Sequence, residues 1–332
     1  MYWNDLDHHL GEERLGNFWM DHPRVRSYIN QAISGSAERW PTDWLRDAFA
    51  DRLPVGEALV LGCGTGALER DLVGKGIAVR AVGVDVVEEP LAFARDAARS
   101  AGLAERIDYR RGDARAFLEA LGEPAEAVFF QASLHHFEDV PGFLELVRAR
   151  MRPRGLLYLD EYVGPSMSSW RWWRLAPLNA AFYLLPRKLR RGRVVRAPVN
   201  PDDPSESVDS GRILEGVERS FRVLARRDYG GNLLAYLFPN LAKPGEGRGE
   251  PTPAEFDRAV ARLIALEKKL LASSWLPESD SYHTVLVAEA PGAQPCARVG
   301  GFTPPPPTRR QPPATARRGP GRDPWPASSR AP

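Results

Sequence analysis

Cysteine is scarce in this chain, with two among 332 residues: Cys63 inside a glycine loop and Cys296 in a proline-rich tail. That excludes a disulfide framework, suits a reducing compartment and supplies no thiolate cluster for zinc. Long apolar runs are also missing. No stretch approaches the ~20 residues that a membrane span needs, and Met1-Tyr-Trp-Asn-Asp-Leu-Asp-His-His lacks the basic and apolar regions of a signal peptide. A cytoplasmic location is expected. Nor is there a surplus of one charge. The formal net charge is +2, but residues 291–332 hold seven Arg and one Asp, so residues 1–290 carry 38 basic and 42 acidic side chains, a net of −4. A mildly acidic body argues against nucleic acid as a partner, because phosphate contacts need a basic face. The tail beyond residue 290 holds 12 of the 30 prolines and little that packs, which reads as disorder.

The sequence is rich in one motif. In Ala58-Leu-Val-Leu-Gly-Cys-Gly-Thr-Gly-Ala-Leu-Glu-Arg-Asp-Leu72 an apolar strand runs into three alternating glycines and then an amphipathic helix. Gly62, Gly64 and Gly66 remove β-carbons where backbone must turn sharply beside a ligand, and the helix opening near Ala67 turns free N–H groups toward it. A second buried strand, Val79-Arg-Ala-Val-Gly-Val-Asp85, ends in a carboxylate nineteen residues after Gly66, positioned to accept hydrogen bonds from ribose hydroxyls. Glu69 and Arg70, on the helix, are expected at the surface. A third strand ends in Gly-Asp113-Ala114, which suits an adenine amino group accepted by the carboxylate beside the Ala114 N–H; a helix cap is the competing role for Asp113. A fourth strand, Ala125–Gln131, delivers Gln131, Ser133, His135 and His136 to the same edge.

Strands near 58–61, 79–84, 107–110, 126–131 and 155–160 alternate with helices near 67–74, 88–101, 114–121 and 140–151. This predicts right-handed crossovers and a parallel sheet with helices on both faces. Residues 1–54, rich in aromatics, read as an N-terminal helical cap. Later come a helix near 212–219, a strand over 221–229, a helix near 254–272 and a last strand over 282–289.

Through the four motifs between residues 55 and 165, the chain resembles the class I S-adenosylmethionine-dependent methyltransferases of the small-molecule branch. The resemblance implies a Rossmann-like α/β fold, a mainly parallel seven-stranded sheet ordered 3-2-1-4-5-7-6 that fills residues 55–290, with helical acceptor or lid insertions at 162–210 and 231–277. It implies S-adenosylmethionine as cofactor, with S-adenosylhomocysteine as product, held by Gly62, Cys63, Gly64, Thr65, Gly66, Asp85, Val86, Asp113, Ala114 and Gln131. His135 or His136 is a candidate base for an acceptor hydroxyl, and both also have the bland role of shaping the loop. Glu161 and Tyr162 are candidate acceptor-binding residues, with strand-end packing as the alternative. No metal is expected, since adjacent histidines on a loop are taken to point apart. Asp160-Glu-Tyr-Val-Gly-Pro165, Asp203–Ser210 and Tyr229-Gly-Gly231 resemble a bacterial subgroup that keeps company with carbohydrate and cell-envelope synthesis. The expected acceptor is therefore a small molecule or a carbohydrate- or lipid-linked intermediate. The Trp-rich segment 166–196, with six basic residues between Arg187 and Arg196, reads as a cover over the acceptor that also fits the pattern of a membrane-surface element. Two rival readings stay open: a nicotinamide-dependent oxidoreductase, disfavoured by the glycine spacing, and a cofactor-binding scaffold without turnover.

Overall fold

Seven strands, β1 (Val55–Leu61), β2 (Ala78–Asp85), β3 (Ile107–Arg111), β4 (Ala125–Gln131), β5 (Met151–Tyr162), β6 (Arg222–Gly230) and β7 (His283–Glu289), form one sheet in the order β3-β2-β1-β4-β5-β7-β6. The computed structural model describes residues 18–166, 169–170, 172–196, 206–245, 249–273 and 280–292, all within a unit spanning residues 1–293. The expected tail lies outside the described residues apart from positions 291 and 292, as do residues 1–17 of the expected cap.

Strands β1 to β5 run parallel. β7 lies antiparallel between β5 and β6, so the sheet order and the closing hairpin are those the resemblance implies. β5 starts four residues before its predicted position, because the preceding helix ends at Ala149 rather than continuing to 151. The register pairs Leu61 with Val84, Asp85 with Arg111 and Gln131 with Asp160. The strand ends that carry the motifs are thereby brought to one edge.

Ten helices follow the chain among the described residues: α1 (Pro23–Ser34), α2 (Pro41–Ala48), α3 (Ala67–Gly74), α4 (Glu88–Ser100), α5 (Ala114–Glu119), α6 (Val140–Ala149), α7 (Trp172–Tyr183), α8 (Ile213–Ser220), α9 (Leu234–Leu237) and α10 (Pro253–Leu271). Strand alternation sends side chains to opposite faces, and the burial follows it. Val60, Ala81, Tyr109, Phe129, Tyr158 and Val285 pack in one core with residues of α1 to α4, α7, α9 and α10. Leu61, Val84, Phe130, Leu159 and Leu286 pack in a second with α5, α6 and α8. α10 begins where Thr252 and Glu255 cap each other reciprocally and Pro253 takes the first helical position.

The N-terminal segment reaches both ends of the sheet. Trp19 lies against His283, with ring centroids 5.1 Å apart, and His283 pairs with Tyr162 at the motif-bearing edge. α2 sits instead by the far end of α3, where Lys75 bonds Asp43 and Asp71 at 3.2 and 3.1 Å. Arg52 then pairs with Glu289 at 2.7 Å, at the opposite end of the strands. Among the described residues of the expected cap, the stretch around Trp19 and Arg26 of α1, which interacts with Asp160, stand near the cleft.

Candidate cofactor and acceptor site

The loop after β1 is built by sterics. Gly62, Gly64 and Gly66 have φ of 70°, 51° and 69°, in the left-handed region that other residues rarely enter. A β-carbon at Gly66 would stand 2.3 Å from the Tyr109 hydroxyl, and one at Gly62 would stand 2.6 Å from Ser133 Cβ. The N–H groups of Gly62 and Cys63 donate to Val84 O at 2.8 and 3.2 Å. Asp85 completes the tie: Oδ2 accepts from Gly64 N–H at 2.8 Å and Oδ1 from Val87 N–H at 3.0 Å. Each carboxylate oxygen retains acceptor capacity. Val86, beside it, leaves an exposed apolar surface of the kind a flat ring covers, and Thr65 and Cys63 complete the loop.

Glu69 departs from expectation. It faces inward and is completely buried, with neither carboxyl oxygen hydrogen-bonded to a partner of good geometry. Burial pushes its pKa up to about 8, so it carries a proton at neutral pH. The room for it comes from Gly83 on β2, where a β-carbon would lie 2.3 Å from Glu69 Oε1. Burial also raises the neighbouring Cys63 thiol well above its ordinary value, so that side chain is a neutral filler beneath the loop. Asp113 takes the capping role: its Oδ1 accepts from Ala116 N–H at 2.8 Å, with Ala114 buried as the first residue of α5. Gln131 is exposed at the end of β4 and hydrogen-bonds Asp160. Desolvation raises that carboxyl to about 6 against the lowering effect of bonds from Tyr229 and Gln131.

The loop after β4 forms a 3-10 turn over Leu134–His136, held from below by Glu161. Glu161 Oε1 accepts from the N–H groups of Ser133 and Leu134 at 2.7 and 2.8 Å, and Oε2 lies 2.8 Å from His135 Nδ1. At 1% exposure this carboxylate has no surface for an acceptor hydroxyl, which corrects the expected role. It is a positioning residue. Because a carboxylate that already accepts two N–H groups offers only lone pairs, His135 Nδ1 is the donor, and in the neutral ring Nε2 then carries the lone pair. Tyr162 is engaged too: its hydroxyl meets Tyr236 Oη at 2.7 Å and Pro165 O at 2.9 Å. The two imidazoles do not point apart as expected. Their centroids are 4.2 Å apart, and both ε nitrogens face Glu206, at 3.8 Å from His135 and 4.0 Å from His136.

Residues 203–205 of the motif Asp203–Ser210 lie outside the described residues, and its later residues sit beside this turn. Asp209 Oδ2 accepts from Val140 N–H at 3.0 Å, and Ser210 Oγ donates to Gly164 O at 3.1 Å. Gly231 adjoins His283, whose ring is held far from protonation, near pKa 3, by burial. Segment 172–196 is half core and half surface. Leu178, Ala181, Phe182, Leu185, Leu189 and Val195 are buried, whereas Trp172, Tyr183 and Leu184 are exposed. The segment is thus docked by its inner face, and Lys188 is paired with Glu255.

Residues 58–155 match the methyltransferase-domain family, and the matched stretch contains the glycine loop, Asp85, Asp113 and the histidine turn. The matched stretch is under a third of the chain and is similar to a methyltransferase domain, and the sheet around it has the Rossmann-like order of the class I methyltransferase fold. Over 126 residues the chain is 28% identical to a ubiquinone biosynthesis O-methyltransferase of Bartonella bacilliformis, an alignment that covers 38% of this chain and 47% of the relative. The chain thus spans about half the length of that curated relative. Among solved structures it is similar to the cyclase SpnF, at 19% identity, covering 83% of this chain and 97% of that one, with a TM-score of 0.45. It is also similar to a putative sarcosine dimethylglycine methyltransferase from Galdieria sulphuraria, at 15% identity, covering 75% and 84%, with a TM-score of 0.45.

Proposed function

We propose that this protein transfers the sulfonium methyl of S-adenosylmethionine to a hydroxyl of a small molecule or of a carbohydrate- or lipid-linked intermediate. The observation that carries the reading is the convergence of the left-handed glycine loop, the Asp85 carboxylate and the apolar Val86 at the carboxyl edge of the sheet, with two imidazoles on the neighbouring strand end. The donor is activated by its own positive charge. The protein has mainly to align oxygen, methyl and sulfur and to exclude water.

Asp85 and the glycine loop would hold the ribose and methionine parts, Val86 and the Ala114 N–H the adenine, and the histidine turn the acceptor. The O–CH3 bond forms as the S–CH3 bond breaks, and the hydroxyl proton leaves to the ε nitrogen of His135 or His136. The exposed aromatics of segment 172–196 support a lipid-linked acceptor presented at a surface. No helix among the described residues is long and apolar enough to cross a membrane.

Calorimetric titration with S-adenosylmethionine, S-adenosylhomocysteine and NAD tests the cofactor. The first two are expected to bind and NAD is not; the reverse would restore the oxidoreductase reading, and binding without turnover on any acceptor would favour the scaffold. Asp85→Ala removes two charge-assisted hydrogen bonds that order the loop, as well as those to the ribose. S-adenosylhomocysteine affinity should fall by on the order of 2–4 kcal/mol. Wild-type affinity in that variant would remove Asp85 from the site.

A further inference from the structure

We propose that His135, His136 and Glu206 form a site for one divalent first-row transition-metal ion at the acceptor edge. One ligand atom from each residue falls within 4.8 Å of the others. That limit is about 1.4 Å wider than the ~3.4 Å edge of a tetrahedral shell with ~2.1 Å metal–ligand bonds, so the three side chains would draw together on binding. The donor set is two imidazole nitrogens and one carboxylate. It suits ions such as Zn2+, Fe2+ or Mn2+ and not Mg2+, which takes oxygen ligands.

The surroundings point the same way. Glu161 binds the proton-bearing Nδ1 of His135 at 2.8 Å and so presents the Nε2 lone pair toward Glu206, the carboxylate–histidine arrangement that supports a metal ligand from outside. Side-chain exposure rises from 9% at His135 through 19% at His136 to 36% at Glu206, which leaves an entry path from solvent. The three protein ligands found among the described residues would leave at least one coordination position open.

The ion's role, though not its binding, rests on the methyl-transfer reading. An acceptor hydroxyl at the open position would lose its proton to solvent because the ion stabilises the oxygen anion. That oxygen then takes the methyl while the S–CH3 electrons return to sulfur. With the ion in place the ε nitrogens are ligands and no longer proton acceptors.

Binding is tested on the full chain after removal of metals with a chelator, by titrating Zn2+ or Mg2+ alone. One equivalent of Zn2+ should bind, and Mg2+ at the same concentrations should not. His136→Ala and Glu206→Gln should each weaken Zn2+ binding at least ~10-fold. The other adjacent pair in the sequence, His8 and His9, supplies the control, and the double variant His8→Ala/His9→Ala should keep the equivalent. Zn2+ uptake that survives His136→Ala and Glu206→Gln, or that disappears with His8 and His9, overturns the proposal. If a variant fails to fold, imidazole NMR of the wild type decides: Zn2+ must shift the resonances of His135 and His136 and spare His283, and unmoved His135 and His136 signals overturn the site. S-adenosylhomocysteine titrated into the same samples separates the two ideas, because its failure to bind would sink the methyltransferase reading and leave the metal site standing.

Discussion

Glu161→Gln is expected to leave the fold standing and to lower methyl transfer by roughly two orders of magnitude or more, the scale of a lost general base. The Gln carbonyl can still accept from the N–H groups of Ser133 and Leu134, now taken by Glu161 Oε1. Its amide NH2 then faces His135 Nδ1, where Oε2 stands in the native protein. Two donors cannot share that contact, so His135 must move its proton to Nε2. The lone pair then points away from Glu206 and serves neither an acceptor proton nor a metal ion. Imidazole nitrogen NMR reads this tautomer change directly, without knowledge of the acceptor. Glu161→Ala should behave differently. It leaves three buried donors without an acceptor, at about 1–3 kcal/mol each, against a total stability of about 5–15 kcal/mol, and the melting temperature should fall by about 10 °C or more. If Glu161→Gln kept both the native tautomer and the native rate, Glu161 would be a packing residue only.

The fold was legible because its signals are local. The first three parallel strands run into Gly or Asp, at Gly62, Asp85 and Gly112-Asp113, and Gly62 to Gly66 announce a left-handed loop by composition alone. The capping alternative for Asp113 was legible for the same reason, since the N–H it satisfies is three residues away. The acceptor side was not. His135, Glu161 and Glu206 are far apart in sequence, and only the pairing of β4 with β5 and the return of the chain near residue 206 bring them together. Nothing local shows that Glu161 points beneath the turn. Periodicity misplaced Glu69 because a charged residue in the first turn of an amphipathic helix usually faces water. A sign of the true arrangement was present in Gly83. Glycine within a buried strand often marks the close approach of another group, and here that group is the Glu69 carboxyl.

That carboxyl makes stability depend on pH with an unusual sign. Burial, the largest cause, raises Glu69 to about 8 from its ordinary 4.5, so between those values the folded chain holds a proton that the unfolded chain has released. The group's contribution is complete below about pH 4.5 and is lost as pH climbs toward 8. The difference amounts to on the order of 4–5 kcal/mol, a large share of a domain's total. Asp160, raised to about 6, acts in the same direction between its ordinary 3.8 and 6, so the wild-type slope contains both groups. Glu69→Gln isolates one of them, since it keeps the shape, cannot ionise and leaves Asp160 in place. Urea unfolding at pH 5, 7 and 9 should show wild-type stability falling steadily. The variant should flatten above pH 6, so that its stability relative to the wild type rises toward the alkaline end. The comparison rests on slopes, because the amide meets the Cys63 thiol and Tyr109 differently from a protonated carboxyl and shifts both ends of its curve together. Parallel curves for the two proteins from pH 5 to 9 would mean that Glu69 does not titrate in this range, and that the space beneath the glycine loop admits water.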